Sequence, residues 1–153
     1  MKRIIPVILA LVMLLSFAAC GEASKDLNKV YDSLMKAQTE TIDLYHETDQ
    51  TCIDGFYTGL NNIDLEQEVL YMSYATGGPT EVCLVEVTNF EDVDKVVDIF
   101  QARIDKGSVV DPNVDDGAEI WAKNATIQTK GNYVAMICLG ENGKIPANVF
   151  DLK

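Results

Sequence analysis

The chain is predicted to form an α+β domain: one antiparallel sheet of about four strands, in two hairpins, packed with helices in the order α-α-β-β-α-β-β-α. Three observations predict it. Two pairs of β-forming segments, 68–75 with 81–88 and 124–129 with 133–139, are each joined by a glycine-containing turn. Between the pairs, residues 91–106 carry an apolar stripe at the period of a helix. The composition is that of a globular chain: of 153 residues, 48% are hydrophobic and 24% charged. This excludes disordered, collagen-like and disulfide-dense classes and fits one domain. The formal charge of -12 excludes nucleic acid as the expected partner, because phosphate contacts need clustered Lys and Arg.

Taken in order, residues 24–37 read as a helix capped by Ser24, with Leu27, Val30, Tyr31, Leu34 and Met35 on one stripe. Residues 39–49 are polar and acidic, with Ile42, Leu44 and Tyr45 as anchors. Asp49 caps a short helix through Cys52, Ile53 and Phe56 that stops near Gly59, and Asn61-Asn62 marks a turn. The first hairpin turns at Gly77-Gly78-Pro79. Asn89 with Asp92 forms a capping pair for the helix of Val93, Val96, Val97, Phe100 and Ile104, and Gly107 stands where a C-terminal glycine belongs. An acidic loop, 108–117, leads to the second hairpin around Lys130-Gly131-Asn132, where a two-residue turn needs glycine at positive φ. Residues 146–152 form a last short helix that packs Val149 and Phe150.

Strand parity assigns the faces. Cys83, Val85, Val87, Ile127, Val134, Met136 and Cys138 point toward helix 91–106. The other face carries Val69, Tyr71, Val82, Leu84, Tyr133, Ala135 and Ile137, which is too apolar for a solvated sheet. Two explanations are open. The N-terminal helix covers it, or it is an exposed aromatic patch in which Tyr71 and Tyr133 form a binding face for a ligand or partner.

The first twenty residues are MKRIIPVILALVMLLSFAAC. Basic Lys2 and Arg3, an apolar run and small residues before a break describe a secretory signal over residues 1–19. The run is short of the ~20 residues of a membrane span. Ala18-Ala19-Cys20-Gly21 resembles the bacterial lipobox, with Phe17 where Leu is preferred. That resemblance implies a diacylglycerol on Cys20, a tether over 20–24 and a domain over 25–153. The mature chain would carry 10 basic and 24 acidic residues. An acidic domain held close to an anionic surface turns its acidic faces away from it.

Reactive residues are few. His46 with Cys52 is a candidate base and nucleophile, but no third group is placed to orient them. The 111–117 loop has the outline of a calcium site, yet Asp116 stands where glycine is needed and Ala122 where the closing acid belongs, so no metal is expected. Cys52, Cys83 and Cys138 lack metal or redox spacing. They read as thiols, although Cys83 and Cys138 share a face and would bond if their strands brought them together. Glu91, Asp92 and Asp94 complement a helix dipole. The Asn124-Ala125-Thr126 sequon has no use in a bacterial lipoprotein.

Phe56-Tyr57-Thr58-Gly59, Asn62-Ile63-Asp64, Val69-Leu70-Tyr71-Met72-Ser73, Glu86-Val87 and above all Thr129-Lys130-Gly131-Asn132-Tyr133-Val134 resemble a family of bacterial lipoproteins known as domain of unknown function 4358. The family usually has Tyr-Gly-Ile-Asp where this chain has an apparent insertion within 57–64. No activity comes with the resemblance, and no cofactor. The expected function is a membrane-anchored extracytoplasmic lipoprotein that binds a protein or small ligand without catalysis. The alternatives are a thiol-dependent envelope enzyme using Cys52 and a structural subunit of a membrane complex.

Overall fold

The structure, a computed structural model, describes residues 24–73, 79–109 and 117–153. The turn at Gly77-Gly78 and the candidate calcium loop, apart from Gly117, lie outside the described residues, as does Cys20.

The elements are α1 (Leu27–Lys36), β1 (Tyr45–Glu47), α2 (Gln50–Phe56), β2 (Leu65–Met72), β3 (Thr80–Val87), α3 (Val93–Gly107), α4 (Ala118–Asn124), β4 (Thr126–Lys130) and β5 (Tyr133–Leu139). Single 3-10 turns occupy Leu60–Asn62, Phe90–Asp92 and Val149–Asp151. The class is α+β, as expected, but the described residues form five strands rather than four, in the order β1-β2-β3-β5-β4, all antiparallel. The added strand is β1, three residues pairing with the end of β2 (Tyr45↔Met72, Glu47↔Leu70). It is too short to show a period, which is why its polar sequence hides it. The added helix is α4, drawn onto the protein by Trp121, which is 1% exposed. The final helix is instead a 3-10 turn, still burying Val149 and Phe150 completely.

Helix ends follow local chemistry. Asp26, not Ser24, caps α1: its Oδ1 accepts from Asn28 N at 3.1 Å and Lys29 N at 3.4 Å. Asp49 caps α2 as expected, accepting from Thr51 N at 2.9 Å. The Asn89–Asp92 capping pair does not form. Asn89 makes no side-chain cap bond, and a 3-10 turn leads into α3 instead. Gly131 takes φ +54° in the β4–β5 turn, the conformation that turn requires.

The two apolar faces fall where parity puts them. On one, Leu70, Met72, Cys83, Val85, Val134, Met136 and Cys138 pack against α2, α3 and Trp121 of α4. On the other, Val69, Val82, Leu84, Tyr133, Ala135 and Ile137 pack beneath α1 and the Val149–Phe150 turn. With helical layers on both sides, every residue of β5 is buried. The apolar second face is therefore a second core.

Candidate functional site

The face carrying Tyr71 and Tyr133 is covered, so the two tyrosines do not form an open binding face. Tyr133 is 8% exposed, and its hydroxyl accepts from Lys25 N at 2.9 Å. Tyr71 is half-buried in an aromatic stack. Tyr31 of α1 lies against it at 3.5 Å between ring centres and 6° between planes, and His46 of β1 at 4.7 Å and 12°. Burial, then Tyr71 and Asp32, push the Tyr31 hydroxyl up to about 12. The stack ties α1 to the edge of the sheet.

The start of α1 is fastened from both sides. Gln67 of β2 accepts from Leu27 N at 3.1 Å and donates to Lys25 O at 2.7 Å, while Ser24 Oγ donates to Glu86 at 3.1 Å. At the other end Gln38 donates to Lys144 O and accepts from Lys144 N. The first and last described segments are thus joined across the second face.

The first face holds a buried charged cluster that the periodicity argument missed. Glu81 of β3 is 1% exposed and Arg103 of α3 is 6% exposed. Arg103 Nε reaches Glu81 Oε1 at 3.0 Å and Nη2 reaches Oε2 at 2.6 Å, a two-point contact. The Tyr57 hydroxyl donates to the same carboxylate. The guanidinium carbon lies 4.9 Å from the Phe56 ring centre and 4.6 Å from that of Trp121. Burial opposes the charge on Arg103, but Glu81 outweighs it and holds the guanidinium pKa above its ordinary value. Burial, then Cys83 and Glu81, drive the Tyr57 hydroxyl well above its own. The signal was present: Glu81 shares the inward parity of Cys83 and Val85, and Arg103 extends the stripe of Val96 and Phe100. A charged residue at an inward position requires an inward partner.

His46 and Cys52 have separate partners. His46 is exposed and stacks on Tyr71, whereas Cys52 bonds to Glu47. Desolvation, then Glu47 and Asp49, raise the Cys52 thiol pKa, the reverse of an activated nucleophile. Cys83 and Cys138 lie on adjacent strands, but the register pairs Cys83 with Met136 and Cys138 with Glu81. Such diagonal positions stand about 7–8 Å apart, beyond disulfide reach, and both thiols are free and buried. Burial pushes Cys138 up to about 11 and Cys83 well above its ordinary value. Asp92 is engaged by Lys95 at 2.6 Å, and Asn124 donates its amide to Gly140 O at 2.7 Å.

Glu68 on β2 is half-buried, and its Oε1 has no hydrogen-bond partner. Burial, then Asp54, raise its pKa. A surface cleft of about 270 Å³ opens between the 38–43 segment and the 139–143 turn, lined by Gln38, Glu40, Asp43, Thr80, Leu139 and Glu141. Among the described residues, no cluster of three or more His, Cys, Asp or Glu is placed to hold a metal, and no helix is long and apolar enough to cross a membrane.

A family model described as a domain of unknown function (DUF4358) matches residues 40–139. The chain belongs to this family. The DUF4358 match takes in the whole sheet and α2, α3 and α4, and stops short of α1 and the 149–151 turn. It includes the Tyr57–Glu81–Arg103 cluster on the first face, while the cover of the second face comes mainly from flanking segments, with Ile42 and Leu44 inside the match. No curated protein and no solved structure matches the chain.

Proposed function

We propose that this chain is a membrane-anchored extracytoplasmic lipoprotein, held through diacylglycerol on Cys20, whose domain binds a partner in the cell envelope without catalysing a reaction. The observation that carries this is how early in the sequence the described fold is fastened. Lys25 and Leu27 are already bonded to Tyr133 and Gln67, so almost no linker separates the domain from the Ala18-Ala19-Cys20 break. An anchor placed there holds the whole domain at the surface.

The non-catalytic part is supported by how the reactive groups are used. Glu81, Arg103 and Tyr57 satisfy one another in the interior. All three described thiols have raised pKa values. Mass spectrometry of the N-terminal peptide should find diacylglycerol on Cys20, and Cys20→Ala should free the protein from membranes or leave it uncut. An unmodified N-terminus at another residue would overturn the anchor. Native protein treated with a thiol reagent at neutral pH should react slowly at Cys52. Rapid, selective reaction there would favour the thiol-dependent enzyme instead.

A further inference from the structure

The cleft between the 38–43 segment and the 139–143 turn joins apolar contact to one sign of charge. Leu139 of the second core and Ile42 packed against it supply the apolar contact. Glu40, Asp43 and Glu141 supply exposed carboxylates, and no lysine, arginine or histidine lines the cleft. Lys36 and Lys144 lie next to these segments in sequence. Among the described residues, however, no ion pair joins either lysine to the three acids. The carboxylates are also not placed to hold a metal, so the cation that suits them is an organic one.

The walls are fixed by the fold. Gln38 donates to Lys144 O at 2.9 Å and accepts from Lys144 N at 2.8 Å. Gly140 takes φ +71°, its N–H donating to Pro79 O at 3.0 Å and its carbonyl accepting from Asn124 at 2.7 Å. A Cβ on Gly143 would collide with Leu139. Walls set in advance lower the ordering cost of binding. The cleft also stands clear of the chain's entry. Thr80 lines it at the start of β3, whereas Glu86, near the other end of that strand, is bonded to Ser24. The strand between them spans about 20 Å.

Resting on the non-catalytic binding role proposed above, we infer that this cleft is the binding site, and that it takes a lysine-bearing peptide segment of a partner protein. The alkyl stem of the lysine lies on Ile42 and Leu139, and its ammonium meets the carboxylates. Thr41 and Asn142 also line the cleft and make no side-chain hydrogen bond among the described residues, which leaves them for the peptide backbone. The volume of about 270 Å³ falls below the ~300–1,000 Å³ of sites for whole small molecules and suits one or two side chains.

The test titrates the full lipidated chain, in neutral detergent, with acetyl-trilysine amide by calorimetry. Binding should be saturable. It should weaken about tenfold in the Glu40→Gln, Asp43→Asn, Glu141→Gln variant, the sum of three exposed charge contacts. Asp94→Asn, Asp98→Asn and Asp105→Asn together remove the same charge from exposed positions of α3 and should leave the affinity nearly unchanged. Gly143→Ala keeps every charge and should weaken binding several-fold in protein whose near-UV circular dichroism matches the parent. No saturable binding, or equal losses in the two triple variants, overturns the cleft and leaves the anchor standing. Spermidine carries the same charge as the peptide and should bind more weakly; equal or tighter binding overturns the peptide as the source of the cation. Saturable binding by protein with an unmodified Cys20 upholds the cleft and overturns the anchor. Absent binding together with rapid thiol labelling at Cys52 overturns the non-catalytic binding role as well.

Discussion

The two faces of the sheet are buried to a similar degree but by different means. The first is covered mainly by α3, a 15-residue helix close in sequence to the strands it packs on, and it encloses an Arg–Glu ion pair with aromatic rings around it. The second has no buried ion pair among the described residues. It is closed by α1 and the Val149–Phe150 turn, which come from opposite ends of the chain and are fastened by side-chain bonds to backbone. The comparison separates a core built within the family's matched segment from one completed by its flanks. A cover made from chain ends is held by few covalent neighbours, so its hydrogen bonds and stacked rings matter more to it.

The largest expected effect comes from removing that cover. Deleting residues 24–38 exposes Val69, Leu84 and Ile137 to water and should abolish cooperative melting, read by calorimetry and near-UV circular dichroism. A truncated chain that still melts sharply near the parent temperature would show that α1 is dispensable to the second core.

On the first face, Phe100→Ala removes a fully buried ring and should cost about 3–5 kcal/mol in urea unfolding. Glu81→Ala leaves Arg103 buried without its partner and should cost about 3–5 kcal/mol as well. Replacing the pair together, Glu81→Leu with Arg103→Met, should come out far milder than either change alone, because a buried ion pair offsets its own desolvation only in part. A double variant as unstable as Glu81→Ala would mean that the pair is a net stabiliser of that face.

Smaller effects test the fastenings of the second face. Tyr71→Ala breaks the stack with Tyr31 and His46 and should destabilise by about 0.5–3 kcal/mol. Tyr133→Phe keeps the ring but deprives Lys25 N of its acceptor, at a cost of about 0.5–1.5 kcal/mol. If both leave the melting temperature unchanged, α1 is held by apolar burial alone.

The smallest expected effect has the opposite sign. Glu68 has its pKa raised above the ordinary 4.5 by burial and then by Asp54. Such a group favours the fold while protonated. Its contribution is complete below about pH 4.5 and is lost as pH rises through the raised folded value. Glu68→Gln should therefore raise the melting temperature at pH 7, and that gain should vanish below pH 4.5. A gain independent of pH would point to packing rather than to charge.

Much of this comparison was legible in the residues. The alternation of Cys83, Val85 and Val87 against Val82 and Leu84 assigned both faces, because a strand's period of two leaves no other choice. The stripe on α3 and the cap at Asp49 were equally plain. The charged cluster was only half legible: Glu81 and Arg103 stand at inward positions, but a sequence read for apolar periodicity passes over them. The apolar second face kept two readings, covered or open, because parity identifies an apolar face without saying what lies on it; α1 and the Val149–Phe150 turn cover it. The strand Tyr45–Glu47 and the helix of Trp121 were not legible, since segments of three and seven residues carry too few positions for a period to show.

The sequence by itself determined the α+β class, the two hairpins, the main helix and the sorting of side chains between two faces, because each is set by interactions among near neighbours. Tertiary structure decided the rest. Short segments such as β1 and α4 gain their form only by pairing with β2 or by burying Trp121. Asp26 caps α1 rather than Ser24, which is engaged by Glu86. Tyr133 became a core residue, and Tyr71 a half-buried one packed against the core, because α1 and the C-terminal segment met above them, and a contact between residues a hundred positions apart depends on the free energy of the whole assembled fold rather than on any local pattern.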